Sequence, residues 1–224
     1  MGVASAPIDL VVCYDYHCPY SDRAVRWLEA SGPSAVRLTY RMFPLEQVNV
    51  DPSAETWRLW EQPLDYRHDR GRPDRRSLAA FLATGVAQDL ADEGVIDPSV
   101  VRAFRLAVYR ARFDEAADIS DPGVLRRAAI QAGMPAPVAA AGLHDEMSQA
   151  RARSRMAADW TAARAEADVF GVPTLILPGD RPMYLRLARE PTPDERLDLL
   201  RRLVDLRRNA PWLLELKLAD VSTG

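Results

Sequence analysis

The chain has 224 residues, a formal net charge of −3, and 48% hydrophobic and 27% charged residues. This is enough chain for one sizeable domain, or a domain with an insertion, and the composition is that of a soluble globular protein. The mild acidity, with Lys217 the only lysine among the basic residues, argues against nucleic acid as a partner, and no apolar run approaches the ~18 residues of a membrane-spanning helix, so no membrane partner is expected.

Residues Met1 to Pro7 lack the basic n-region and apolar h-region of a secretory leader, which points to a cytoplasmic protein, where structural disulfides are rare. Ile8 to Tyr14 is almost wholly apolar, the pattern of a strand buried on both faces, with Cys13 packed into the sheet. The stretch Asp15-Tyr16-His17-Cys18-Pro19-Tyr20-Ser21-Asp22 follows directly. Pro19 to Ala30 then reads as a helix with an apolar stripe at Ala24, Val25, Trp27 and Leu28, stopped by Gly32-Pro33. Ala35 to Phe43 alternates, placing Val36, Leu38, Tyr40 and Met42 on one face of a second strand. Strand, helix and strand make a βαβ unit, so the two strands are expected parallel with a right-handed crossover.

Val50 to Arg76 reads as irregular. It holds Trp57, Trp60 and Tyr66, which either line a ligand pocket or, more commonly, tuck the loop onto the core. It also holds a mixed-sign cluster from Arg67 to Arg76 that reads as solvated surface. Leu78 to Ala91 is helical, with Gly85 as a weak point. Asp97-Pro98 and Asp121-Pro122 each place an N-cap before a proline at the first helical position, opening helices to about Arg112 and to near Gly133. Pro135 and Pro137 separate these from an Ala- and Arg-rich stretch reaching about Asp168. There Arg151, Arg153 and Arg155 do not share one helix face, so they make a poor anion patch. Phe170-Gly171-Val172-Pro173-Thr174-Leu175-Ile176-Leu177 is an apolar strand with a proline near its start. Pro178-Gly179-Asp180-Arg181 turns the chain into a fourth strand, Pro182 to Leu187, as an antiparallel hairpin. A last helix starts at Thr192 or Pro193 and runs to about Arg208.

Cys18 carries the chemistry. It lies between a strand and a helix start, where amide N–H groups lack intrahelical partners and the helix dipole is positive. Both favour thiolate over thiol, so its pKa is expected below the free value of about 8.5. His17 would add positive charge if protonated, and Ser21 can donate a hydrogen bond to the thiolate. A small buried structural cysteine is the alternative for any lone cysteine, but the strand, the Cys-Pro pair and the helix together favour a nucleophile. Serine at the fourth position cannot displace a disulfide, so the intramolecular dithiol cycle of Cys-x-x-Cys enzymes is not expected. Cys13, a strand residue across a loop, is poorly placed to pair with Cys18, because a disulfide needs Cα atoms within about 7 Å. His17, His68 and His144 have no metal-ligand spacing with each other or with the cysteines, and no metal is expected.

Cys18-Pro19-Tyr20-Ser21 at a helix start, with Gly171-Val172-Pro173-Thr174 before an apolar strand far downstream, resembles the thioredoxin superfamily. The helix-rich spacing between them resembles its DsbA-like branch: DsbA- and FrnE-type oxidoreductases, 2-hydroxychromene-2-carboxylate isomerases and kappa-class glutathione transferases. The resemblance implies an α/β thioredoxin fold with a helical domain inserted after the second strand: residues 1–50 and 166–224 forming the thioredoxin-like domain and 51–165 the insertion that roofs the cysteine. It implies a cis Val172–Pro173 bond facing Cys18, with Pro19, Tyr20, Val172 and Pro173 contacting substrate. It implies a monothiol oxidoreductase or thiol transferase in which Cys18 is the nucleophile, Ser21 and His17 tune it, and glutathione or mycothiol is the co-substrate. The partner is then a small-molecule thiol or disulfide, and a homodimer is compatible with the resemblance. Two other readings stay open: a thiol-dependent isomerase or transferase of a small electrophile, and a non-catalytic thioredoxin-fold binding protein.

Overall fold

The protein is described from a computed structural model covering residues 6–50, 56–66, 76–142 and 145–215. The chain packs as two compact units, Met1–Glu190 and Pro191–Gly224. His68, His144 and nearly all of the Arg67–Arg76 cluster lie outside the described residues.

The first unit is built on a four-stranded sheet. Strand β1 (Ile8–Tyr14) is followed by helix α1 (Pro19–Ala30), strand β2 (Val36–Met42) and a short helix α2 (Leu45–Val48). Strands β1 and β2 are parallel, in register from Ile8 opposite Val36 to Tyr14 opposite Met42. Strand β3 (Thr174–Ile176) pairs antiparallel with β1, Cys13 facing Thr174. It also pairs antiparallel with β4 (Met183–Tyr184), giving the order β2-β1-β3-β4. An inner position leaves β1 no solvated edge, which is why Leu10, Val12, Cys13 and Tyr14 are buried and its sequence is nearly all apolar.

Both late strands are shorter than their apolar runs. Pro173 has no N–H to give a ladder, so regular pairing begins only at Thr174. After Tyr184 the chain leaves the sheet toward α1: the Leu185 N–H donates to the Pro173 carbonyl at 3.0 Å, and Arg23 donates to the Leu187 carbonyl at 2.8 Å. Helix α2 is not legible in the sequence, because four residues carry too little periodicity to read.

Between α2 and β3 the described residues form a 3₁₀ turn (Leu59–Glu61) and the helices α3 (Leu78–Asp92), α4 (Pro98–Phe113), α5 (Pro122–Gln131), α6 (Ala136–Gly142) and α7 (Glu146–Thr161). A π turn (Ala162–Glu166) continues from α7. Carboxylates cap three of these helices by accepting backbone N–H groups: Asp97 from Ser99, Asp121 from Gly123, and Asp145 from Ser148. Helix α3 is buried on almost every face, from Leu78 through Ala87. Gly85 is where α7 comes closest: a β-carbon there would stand 2.7 Å from the β-carbon of Ala152.

Arg151 and Arg155, one turn apart on α7, pair with the carboxylates of α3 and its end. Arg155 reaches Asp89 at 2.6 Å and Asp92 at 2.7 Å, and Arg151 reaches Glu93 at 2.5 Å. Arg153 instead donates to the carbonyls of Trp60 and Gln62 at 2.7 and 2.8 Å. These arginines fasten α7 to its neighbours and form no anion patch. The loop aromatics also turn inward. Trp60 lies 6.1 Å from Trp160 of α7, Trp57 lies 6.4 Å from Tyr66, and Leu59 between them is buried.

In the second unit, helix α8 (Arg196–Asn209) starts later than the Thr192 or Pro193 of the sequence reading. It buries Leu200 and Val204. No helix among the described residues is long and apolar enough to cross a membrane.

Candidate active site

Cys18 is the N-cap of α1, with extended backbone (φ −89°, ψ 114°) and Pro19 at the first helical position. The cap is closed by main-chain bonds: Asp22 N–H donates to the Cys18 carbonyl at 3.1 Å, and Cys18 N–H donates to the Asp15 carbonyl at 3.2 Å. The Cys18 Sγ–H points across the sheet and donates to the Val172 carbonyl oxygen at 3.3 Å. The Val172–Pro173 peptide bond is cis. Cys18 belongs to a buried cluster with Cys13, Phe43, Ala163, Val169, Val172 and Ile176. Trp160 stacks on Phe43 at 4.8 Å. The end of β1, the start of α1, the loop before β3 and the π turn after α7 therefore meet in the cluster that holds the thiol.

The thiol is almost wholly enclosed, with 4% of Cys18 exposed. Burial pushes its pKa up, against the Ser21 hydroxyl and the backbone N–H groups of Ser21 and Tyr20, which favour the thiolate, while the Asp15 carboxylate adds to the rise. This corrects the expectation of a depressed pKa. The helix-start donors are present, but removing the charge from water outweighs them. Cys13 is more extreme: burial pushes it up to about 12. Both cysteines are unpaired thiols.

Asp15 proves to be the anchor of the loop. Its carboxylate is buried and accepts the His17 N–H at 2.6 Å and the Leu45 N–H at 2.7 Å. Its N–H reaches the Ser21 Oγ at 3.4 Å, and its carbonyl accepts the Tyr109 hydroxyl at 3.1 Å. One residue thus joins the end of β1, the cysteine loop, α2 and α4. The sequence offered only its place at the head of the motif as a signal.

His17 is half-buried, and its Nδ1 accepts the Arg112 Nε–H at 3.1 Å. The sequence expectation placed His17 beside Cys18 as a charge neighbour; the structure turns its ring to Arg112 of α4. Ser21 is fully buried against the thiol. Pro19 is exposed at the helix start and Tyr20 is half-buried beside the cysteine cluster. Arg186 donates to the Tyr20 hydroxyl and sets its guanidinium carbon 4.3 Å from the ring centroid. Neither Arg112 nor Arg186 was legible as part of the site, since 95 and 166 residues separate them from their partners. Among the described residues no three histidine, cysteine or acidic side chains gather as a metal site.

The fold has known relatives. Residues 9–198 match the DSBA-like thioredoxin domain. No curated protein matches the sequence significantly. Among solved structures, the cytosolic disulfide reductase DsbM from Pseudomonas aeruginosa is 20% identical, with a TM-score of 0.56 over 89% of this chain and 100% of that one. The same protein with GSH gives 19% identity and a TM-score of 0.59 over the same shares. A periplasmic thioredoxin-like protein from Salmonella enterica serovar Typhimurium is 18% identical, with a TM-score of 0.51 over 91% of this chain and 86% of that one. Matched over most of its length and folded as α1 and the four-stranded sheet with a helical insertion, the chain belongs to the family of DSBA-like thioredoxin domains.

Proposed function

We propose that the protein is a monothiol thiol–disulfide oxidoreductase of the cytoplasm that works through Cys18 with a low-molecular-weight thiol such as glutathione or mycothiol. The observation that carries this reading is the placement of Cys18 Sγ between the α1 N-terminus and the Val172 carbonyl, with Ser21 buried beside it where a dithiol enzyme has its second cysteine. In the first step the Cys18 thiolate attacks one sulfur of a disulfide RS–SR. The Cys18–S–SR bond forms, the RS–SR bond breaks, and RS⁻ leaves. Ser21 is a hydroxyl and cannot take over the bond. An external thiolate R′S⁻ then attacks the mixed disulfide, R′S–SR departs, and the Cys18 thiolate is restored.

Three features support this cycle. The Ser21 hydroxyl and the N–H groups of Tyr20 and Ser21 stabilise the thiolate as it forms and leaves. Val172 and Pro173 offer backbone opposite the sulfur, and Pro19 and Tyr20 flank it. Cys13 is sealed in the sheet with its pKa pushed up to about 12, which makes it a poor resolving thiolate. The solved DsbM structure with GSH supports a glutathione-type partner. The test is intact mass spectrometry after incubation with oxidised glutathione. One glutathione is expected on Cys18, stable after removal of the excess and released by added thiol. Spontaneous collapse to a Cys13–Cys18 disulfide would overturn the monothiol cycle.

A further inference from the structure

An arginine, Arg186, stands on the tyrosine that follows the Cys18-Pro19 pair. Arg186 lies in the segment that leaves β4 and crosses toward α1, held by Leu185 N–H on the Pro173 carbonyl at 3.0 Å and by Arg23 on the Leu187 carbonyl at 2.8 Å. These bonds fix the backbone on both sides of Arg186. Its guanidinium sits over the Tyr20 ring, two residues from Cys18, and Tyr20 packs against the cluster that holds the sulfur. Tyr184 stands close enough to feel Cys18, Tyr20 and Arg186 together. It is 41% exposed and pairs with Phe170, 64% exposed, at a ring distance of 5.1 Å. One flank of the thiol therefore presents an aromatic wall with an exposed guanidinium at its edge. A guanidinium matches a carboxylate in shape and charge better than any other side chain.

Resting on the monothiol reading, we infer that Arg186 binds a carboxylate of the disulfide substrate, so that Cys18 reacts preferentially with small disulfides carrying carboxylates next to the sulfur. The exchange is the one already written: Cys18–S–SR forms, RS⁻ leaves, and the carboxylate on the retained half stays against Arg186. Arg186 is thus a specificity-determining residue.

The test uses three disulfides of similar size in the full-length protein: dithiodipropionate (anionic), bis(2-hydroxyethyl) disulfide (neutral) and cystamine (cationic). The rate of the Cys18 adduct is followed by intact mass, and each rate is divided by that of a small free thiol with the same disulfide. This removes intrinsic reactivity. The wild type is expected to rank anionic above neutral above cationic, with the spread shrinking as salt rises. Arg186→Gln should reduce the anionic-to-neutral ratio by about two- to fivefold, the range of an exposed ion pair. Arg186→Lys should keep most of it. An unchanged ratio in Arg186→Gln overturns the inference. So does a parallel fall of all three rates, which would mark a residue that only positions Tyr20. Adduct formation without charge preference overturns this inference and leaves the monothiol reading standing. No adduct with any of the three overturns both.

Discussion

The Cys18 sulfur lies 3.3 Å from the carbonyl oxygen of Val172, a residue 154 positions away along the chain. The contact joins a helix start to the loop entering β3, and it sets what the thiol can do. A thiol that donates to a buried carbonyl is held in its protonated form until something replaces that acceptor. Cys18 alkylation by iodoacetamide should therefore rise with pH around a midpoint above the free-cysteine value of about 8.5. Cys13, pushed up to about 12, should stay unlabelled in the folded protein at neutral pH. Peptide mass spectrometry across a pH series reads both. A Cys18 midpoint well below the free value would show that the helix-start donors outweigh burial.

Ser21 is where the mechanism can be switched. Ser21→Cys places a thiol beside Cys18, so the mixed disulfide with glutathione should collapse to an internal disulfide between Cys18 and the introduced thiol. The adduct lifetime should fall by about tenfold or more. Ser21→Ala removes a hydroxyl that favours the thiolate, so the Cys18 alkylation midpoint should move further up. Free-thiol counts and adduct decay by intact mass measure the two effects. An Ala variant with an unmoved midpoint would show that the hydroxyl does not act on the sulfur.

Gly85 shows how tightly the helical segment is packed. Alanine is favoured over glycine in a helix interior by about 1 kcal/mol. Here the added methyl would meet the Ala152 β-carbon at 2.7 Å and its α-carbon at 3.1 Å. Backbone at that distance cannot swing aside, so α3 and α7 must separate. Gly85→Ala should destabilise the protein by about 1–3 kcal/mol in denaturant unfolding. The double variant with Ala152→Gly should recover part of the loss.

Asp159 on α7 accepts the Met42 N–H at 2.9 Å and ties that helix to the end of β2. Burial raises its pKa to about 6, although the Met42 N–H and the charges of Arg155, Arg41 and Arg105 pull the other way. A carboxyl whose pKa is higher folded than unfolded favours the folded state at low pH. That advantage is lost as pH rises from about 4 through about 6. Asp159→Asn keeps an acceptor for Met42 and has no proton to lose. Its stability relative to wild type should therefore improve between about pH 4 and pH 7, by on the order of 1–3 kcal/mol. Thermal unfolding of both proteins at several pH values tests this, and a constant difference would show that Asp159 does not titrate in that window.

What the sequence determined by itself is what short-range periodicity and local chemistry can encode. Ile8–Tyr14 as a strand and Pro19–Ala30 as a helix follow from an apolar run, a Cys-Pro start and an amphipathic stripe, and the parallel pairing of β1 with β2 follows from the handedness of the crossover. Asp97-Pro98 and Asp121-Pro122 announce α4 and α5 because a cap and a proline act within one turn. Tertiary structure alone decided the environment of the thiol. Local signals favour a low pKa for Cys18. The raised pKa comes from burial, and Cys18 is buried in a cluster with Phe43, Ala163, Val169, Val172 and Ile176 that only the complete fold gathers. The role of Asp15, the contact of His17 with Arg112, and the approach of Arg186 to Tyr20 likewise depend on contacts between distant segments. Desolvation and long-range charge are properties of a packed volume, and no window of sequence contains that volume.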